Sequence, residues 1–142
     1  MTRFPDWEQR LTDYIASVRM RPFEWGQHDC ILFACAAAEA QTGRDAAAEY
    51  RGKYTDKAGA AKALRDIGEG TLLNTVDSQF APKPVGRAQR GDLVMVDGAV
   101  GVCMGANALF VGEERLAEAT GAIMREGIMA VPRALWERAW AV

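Results

Sequence analysis

The apolar positions change period along the chain, and that change divides it into two parts. Over residues 6–20, Trp7, Leu11, Tyr14, Ile15 and Val18 recur at three- and four-residue spacing, with Glu8, Arg10, Asp13 and Arg19 largely on the other face. This is the pattern of an amphipathic helix. Pro22 ends it, because proline disfavours helical geometry at Arg21 before it and carries no amide hydrogen. After a loop over residues 23–28, Asp29 is a good N-cap for a helix from Cys30 to about Gln41, stopped by Gly43. Cys30, Phe33, Ala34 and Ala37 share one of its faces, and its alanines let a neighbouring layer approach closely, so it reads as a central, buried helix. Residues 50–55 form a polar connection, a third helix covers 56–67 and is closed by Gly68, and a short fourth covers 71–80.

Residues 81–90, with Pro82, Pro84 and Gly86, read as a surface loop crossing to a β-rich half. There the apolar runs shorten to 93–96, 100–104 and 108–111, separated by Asp97-Gly98 and Gly105-Ala106, which predicts consecutive antiparallel strands. Further strands are predicted over 115–119, 122–125 and 128–131, the last two joined by a tight turn at Glu126-Gly127. Pro132 then opens a terminal helix through Trp136 and Trp140, whose i, i+4 spacing places both on one stripe. If that stripe or Trp7 were exposed, it would be the leading candidate for a protein interface. The fold class expected is α+β, with N-terminal helices packed on a C-terminal antiparallel sheet or meander. It forms one domain over 1–142: a helical half to about 80, a β-rich half over about 91–131 and a terminal helix over about 132–142.

Composition narrows this picture by exclusion. A chain of 142 residues is the size of one domain with one core. Seventeen basic and nineteen acidic residues are interspersed, for a formal charge of -2, so there is no basic stripe to neutralise phosphates and nucleic acid is not an expected partner. The longest apolar runs fall short of a membrane span. The first residues carry none of the marks of a secretory leader, so synthesis in the cytoplasm is expected. Cys30, Cys35 and Cys103 are odd in number and form no Cys-x-x-Cys pair, which points to reduced thiols rather than a disulfide framework or zinc site. No cofactor and no metal are expected.

The candidate chemistry centres on Cys30. A cysteine on the first turn of a helix lies near unpaired amide hydrogens and the positive end of the helix dipole, which favour the thiolate. Trp25 and Gly26 would supply a wall and a tight approach path to it. His28 is the only histidine; two residues from Cys30 in an extended segment, it would share a side with the thiol and serve as base. The competing reading is a loop histidine bonded to nearby backbone, because an Asp29 cap bends the chain between the two. Asp29 completes the candidate catalytic set of Cys30, His28 and Asp29, although helix capping is its most economical role. Cys35 and Cys103 read as core residues, and Asp92 and Asp97 as solvated carboxylates flanking a strand.

Three stretches carry a resemblance: Trp25-Gly26-Gln27-His28-Asp29-Cys30, Gly91-Asp92-Leu93-Val94, and Ala99-Val100-Gly101-Val102-Cys103-Met104-Gly105. In order and spacing they resemble the NlpC-like peptidases, papain-fold cysteine hydrolases of bacterial cell-wall peptides. That family opens its nucleophile helix with Trp/Tyr-Gly-x-x-Asp-Cys, begins its sheet with Gly-Asp-Leu-Val, and continues with His-Val-Gly-Ile-x-x-Gly. The resemblance implies a papain-like fold, Cys30 as nucleophile, and a substrate pocket bounded by Trp25, Gly26 and Ala99. It also implies a defect. Ala99 stands where the family carries its histidine base, and the polar residue that orients the base has no match near residues 107–111.

The whole chain looks more closely like a phage-encoded branch of this group from tail gene clusters. It shares the Trp-Gly-x-His-Asp-Cys opening, Arg51-Gly52-Lys53-Tyr54, Arg90-Gly91-Asp92-Leu93-Val94 and a Trp-containing C-terminus. This implies a protein made in the bacterial cytoplasm that becomes part of a phage or phage-like tail, with other tail proteins of the hub or tip as partners. The function expected is an assembly or adaptor component with impaired peptidase chemistry. The alternative is an active cysteine peptidase that cleaves peptidoglycan peptides through Cys30, with His28 or a partner-supplied group as base.

Overall fold

The computed structural model describes residues 2–112, 114–125 and 127–142. Four helices come first: α1 (Trp7–Val18), α2 (Cys30–Thr42), α3 (Lys57–Asp66) and α4 (Leu72–Gln79). Then follow β1 (Ala81–Lys83), β2 (Leu93–Val96), β3 (Ala99–Cys103), β4 (Asn107–Val111), α5 (Glu114–Thr120), β5 (Met124–Arg125), β6 (Ile128–Pro132) and β7 (Arg138–Ala141). The strands form one antiparallel sheet in the order β1-β7-β2-β3-β4-β6-β5. The expected α+β segregation, helices before sheet, is what the chain adopts.

Helix starts follow side-chain chemistry. Asp29, Asp56 and Thr71 each accept an amide hydrogen from the first turn of α2, α3 and α4, and α2 ends at Gly43 with φ of 82°, a left-handed conformation that suits glycine. Asp97 and Gly98 both have positive φ, 48° and 76°, and join Val96 to its register partner Ala99. This two-residue turn has the handedness that matches strand twist, and it sets Ala99 at the very start of β3.

The alternation of side chains along the strands makes two cores. Leu93, Met95, Val100, Val102 and Trp140 lie under Leu11, Ile15 and Val18 of α1 and Phe33, Ala34 and Ala37 of α2. Val94, Val96, Cys103, Phe110, Met129 and Val131 form the opposite cluster, covered by Leu116 of α5 and by Trp136. Both faces of β2 and β3 are therefore buried, and each fully buried Leu, Val or Phe contributes about 2 kcal/mol. Gly101 belongs to this packing, since a Cβ there would lie 2.8 Å from the Phe110 ring.

Several expectations are corrected. The terminal helix over about 132–142 is instead a 3-10 turn, Arg133–Leu135, followed by β7, which inserts between β1 and β2. Pairing on both edges satisfies the backbone as a helix would, and because Trp136 closes the 3-10 turn while Trp140 lies in β7, the two enter opposite cores rather than one stripe. Trp140 is 1% exposed and Trp136 6%, so the proposed interface stripe does not exist. Residues 115–119 lie in α5 and not in a strand, as their Arg, Leu, Ala and Glu content favours. The surface loop over 81–90 contains β1, paired with β7. Asp92, expected to be solvated, is 2% exposed and accepts from Arg3 Nη2 at 3.1 Å, Lys83 Nζ at 2.7 Å, Gln89 N at 2.8 Å and Val142 N at 3.1 Å. The strand expected over 122–125 is confined to β5, and Glu126 of the predicted turn lies outside the described residues.

Candidate functional site

The loop before α2 is shaped by backbone bonds: Glu24 N donates to His28 O at 2.9 Å and His28 N to Glu24 O at 2.8 Å. Gly26 sits at its tip with φ of 79°, and a Cβ there would lie 1.9 Å from the Tyr54 carbonyl oxygen, so only glycine fits. Gly52 N donates to Gly26 O at 2.8 Å. Asp29, 1% exposed, ties the parts together: its carboxylate accepts from Leu32 N at 3.0 Å, Gly26 N at 3.1 Å and Tyr54 Oη at 2.5 Å. The two stretches Trp25–Cys30 and Arg51–Tyr54, distant in sequence, are thus one hydrogen-bonded clasp. These three bonds give Asp29 the capping role its position suggested and add a brace to Tyr54.

Cys30 opens α2 and packs against the cluster that contains Ala99, so the helix start meets the start of β3. Burial pushes the thiol up to about 12; the Val100 amide and the amides of Ile31 and Cys30 pull the other way, and the Asp29 charge adds to the rise. Desolvation thus opposes the thiolate expected from the amide hydrogens at the helix start.

His28 is 2% exposed, and its ring stands edge-on to Phe33 with centroids 6.1 Å apart. Its Nε2 is buried without a hydrogen-bond partner. Burial, and then the Arg21 charge, hold the imidazole below its usual range, partly offset by Asp29. Among the described residues no hydrogen bond links His28 to Cys30, and the side chain makes none to nearby backbone either. Asp29 between them is extended, with φ of -112° and ψ of -175°, yet His28 packs against Phe33 while Cys30 packs against the cluster that contains Ala99.

Beside Cys30 runs an apolar cleft of about 250 Å³. Its walls are α2, the 46–54 segment and the facing sides of α3 and α4, with Trp25 and Gly98 at the Cys30 end. Trp25 stacks edge-on against Phe23 and Tyr54. Gly26 and Ala99, expected in the pocket with Trp25, are not among its lining residues. Cys35 does line it, and burial pushes that thiol up to about 12 as well. Sequence reasoning missed Cys35, Tyr50, Tyr54 and α3 as parts of this site. The signal available was the run of alanines and glycine in Lys57–Asp66, too small to fill the space beneath the helix.

All three cysteines are free thiols. Among the described residues, no group of three or more His, Cys, Asp or Glu side chains is placed to hold a metal ion, and no helix is long and apolar enough to cross a membrane. Fold and site together define an α+β domain in which a cysteine at a helix start packs against an antiparallel sheet whose third strand begins at Ala99. The chain belongs to the family described as Domain of unknown function (DUF6950), whose model matches residues 2–142. No curated protein and no solved structure matches it.

Proposed function

We propose that this protein is an NlpC-like domain of a phage or phage-derived tail tip, serving as an assembly or adaptor component and not as a peptidase. One observation carries the loss of chemistry. The Cys30 thiol, held by burial near 12, faces β3 where the first residue is Ala99, while the imidazole of His28 lies against Phe33. Thiol hydrolysis needs a base within hydrogen-bond reach of the nucleophile or one water away, and among the described residues no side-chain hydrogen bond to the Cys30 thiol supplies one. The tail setting and its partners, other hub or tip proteins, rest on the sequence resemblance.

The test pairs reactivity with turnover. Alkylation of Cys30 is expected to be slow at pH 7 and to climb through pH 9 without a plateau, and neither the native protein nor Cys30→Ser should release peptides from peptidoglycan. Cys30-dependent release would replace this reading with that of an active cysteine peptidase using a base not seen here. In a folded Ala99→His variant, an imidazole beside the thiol should speed alkylation at pH 7 by about tenfold or more. An unchanged rate would show that residue 99 does not occupy the place of the family's base.

A further inference from the structure

The cleft beside Cys30 is a gap between helices that the sequence leaves unfilled. On one side α2 presents Ile31, Leu32 and Cys35; on the other α3 presents Ala60, Ala61 and Leu64, and Ala63 is the only buried residue of that helix. α3 is held at its ends rather than by its face. Its first turn is capped by Asp56, Gly59 lies against Tyr54, and beyond its C-terminus Gly68 approaches both the Thr75 and Tyr50 hydroxyls. Fixed in this way, the helix leaves space in place of the close packing found in protein interiors.

The chemistry of the walls selects the occupant. The Asp29 carboxylate is taken up by Gly26, Leu32 and Tyr54; the Thr75 hydroxyl by Glu69 N and Thr71 O; the Gln79 side-chain oxygen by Arg44. What remains is sparse: the Trp25 indole, the Tyr50 hydroxyl, two protonated thiols and the exposed Lys57. A free carboxylate inside such walls would lose its hydration with little in return, whereas a hydrocarbon body gains contacts on every side. An apolar cavity of roughly 150 Å³ suffices for benzene, and this one measures about 250 Å³.

We propose that the cleft between α2 and the α3–α4 pair is a binding site for a compact, hydrocarbon-rich small molecule the size of an aromatic bicycle. The site is independent of whether Cys30 reacts. It also bears on the alternative reading, because cell-wall peptides carry free carboxylates for which these walls hold a single cationic side chain, the exposed Lys57.

Indole and the dianionic dipeptide alanyl-glutamate would each be titrated into the ¹⁵N-labelled full chain. Indole should give saturable amide shifts in Cys30–Cys35, residues 46–54 and α3, with half-saturation below about 5 mM. It should also slow alkylation of Cys30 and Cys35 at least threefold while leaving Cys103, outside the cleft, unchanged. Filling the space with Ala60→Phe, or with Leu64→Trp if the first variant does not fold, should weaken indole at least tenfold. Shifts that do not saturate, that persist in a folded filled variant, or that appear with the dipeptide and not with indole would each overturn the proposal. None of these readouts depends on peptidoglycan turnover, so the site and the tail-adaptor reading can fail separately.

Discussion

His28 and Cys30 are two positions apart, yet they pack into different surroundings. His28 is packed neutral against Phe33 with Nε2 unpaired, and its pKa in the fold lies below that of the unfolded chain. The sign follows from proton binding. Between the unfolded value near 6.5 and the lower folded value, the unfolded chain takes up a proton that the fold refuses, so stability falls as pH drops through that window and is unaffected above it. His28→Gln should therefore flatten the decline in urea midpoint between pH 7.5 and 5.5 relative to the native protein. An equal decline in both would place the linkage on other groups. At this scale residue identity was legible and environment was not: the sequence marked Cys30, His28 and Asp29 as a set, but the burial that raises the Cys30 thiol and lowers the His28 imidazole comes from how the helices and the sheet close over them.

Elements were read best where local chemistry specifies them. The cap at Asp29, the stop at Gly43 and the Asp97-Gly98 turn act within a few residues and appear where expected, and the helices expected from residues 56 and 71 start one residue later behind caps at Asp56 and Thr71. Asp29 does more than cap. Asp29→Ala removes an acceptor from Leu32 N and also strands the buried Gly26 N and Tyr54 Oη, so a loss of about 2–4 kcal/mol is expected. Denaturant unfolding would measure it, and a loss near 1 kcal/mol would mean that the clasp to Tyr54 contributes nothing beyond an ordinary cap. Elements failed where pairing is distant. β1 and β7 are short strands whose character comes from each other and from β2, 50 or so residues away in the chain, and the i, i+4 spacing of Trp136 and Trp140 imitates a helix that never forms.

At the scale of the molecule, Asp92 ties together segments that lie far apart. Arg3 before α1, Lys83 of β1, the amide of Gln89 and the amide of Val142 converge on one buried carboxylate. Removing it leaves two cationic groups and two amides without their partner, and Asp92→Ala should cost about 3–5 kcal/mol. Thermal unfolding compared with Asp97→Ala, whose carboxylate is exposed, would isolate the effect; equal midpoints would show that the cluster is hydrated and weak. Short-range chain chemistry was enough to specify the α+β order, the helix boundaries, the cysteine at the start of α2 and the turn that begins β3 at Ala99. The assembled fold alone specified the insertion of β7, the burial of Asp92, the raised Cys30 thiol and the cleft under α3. The reason is physical: caps and turns are bonds between near neighbours, whereas desolvation and unfilled volume belong to whatever distant segments fold against a residue.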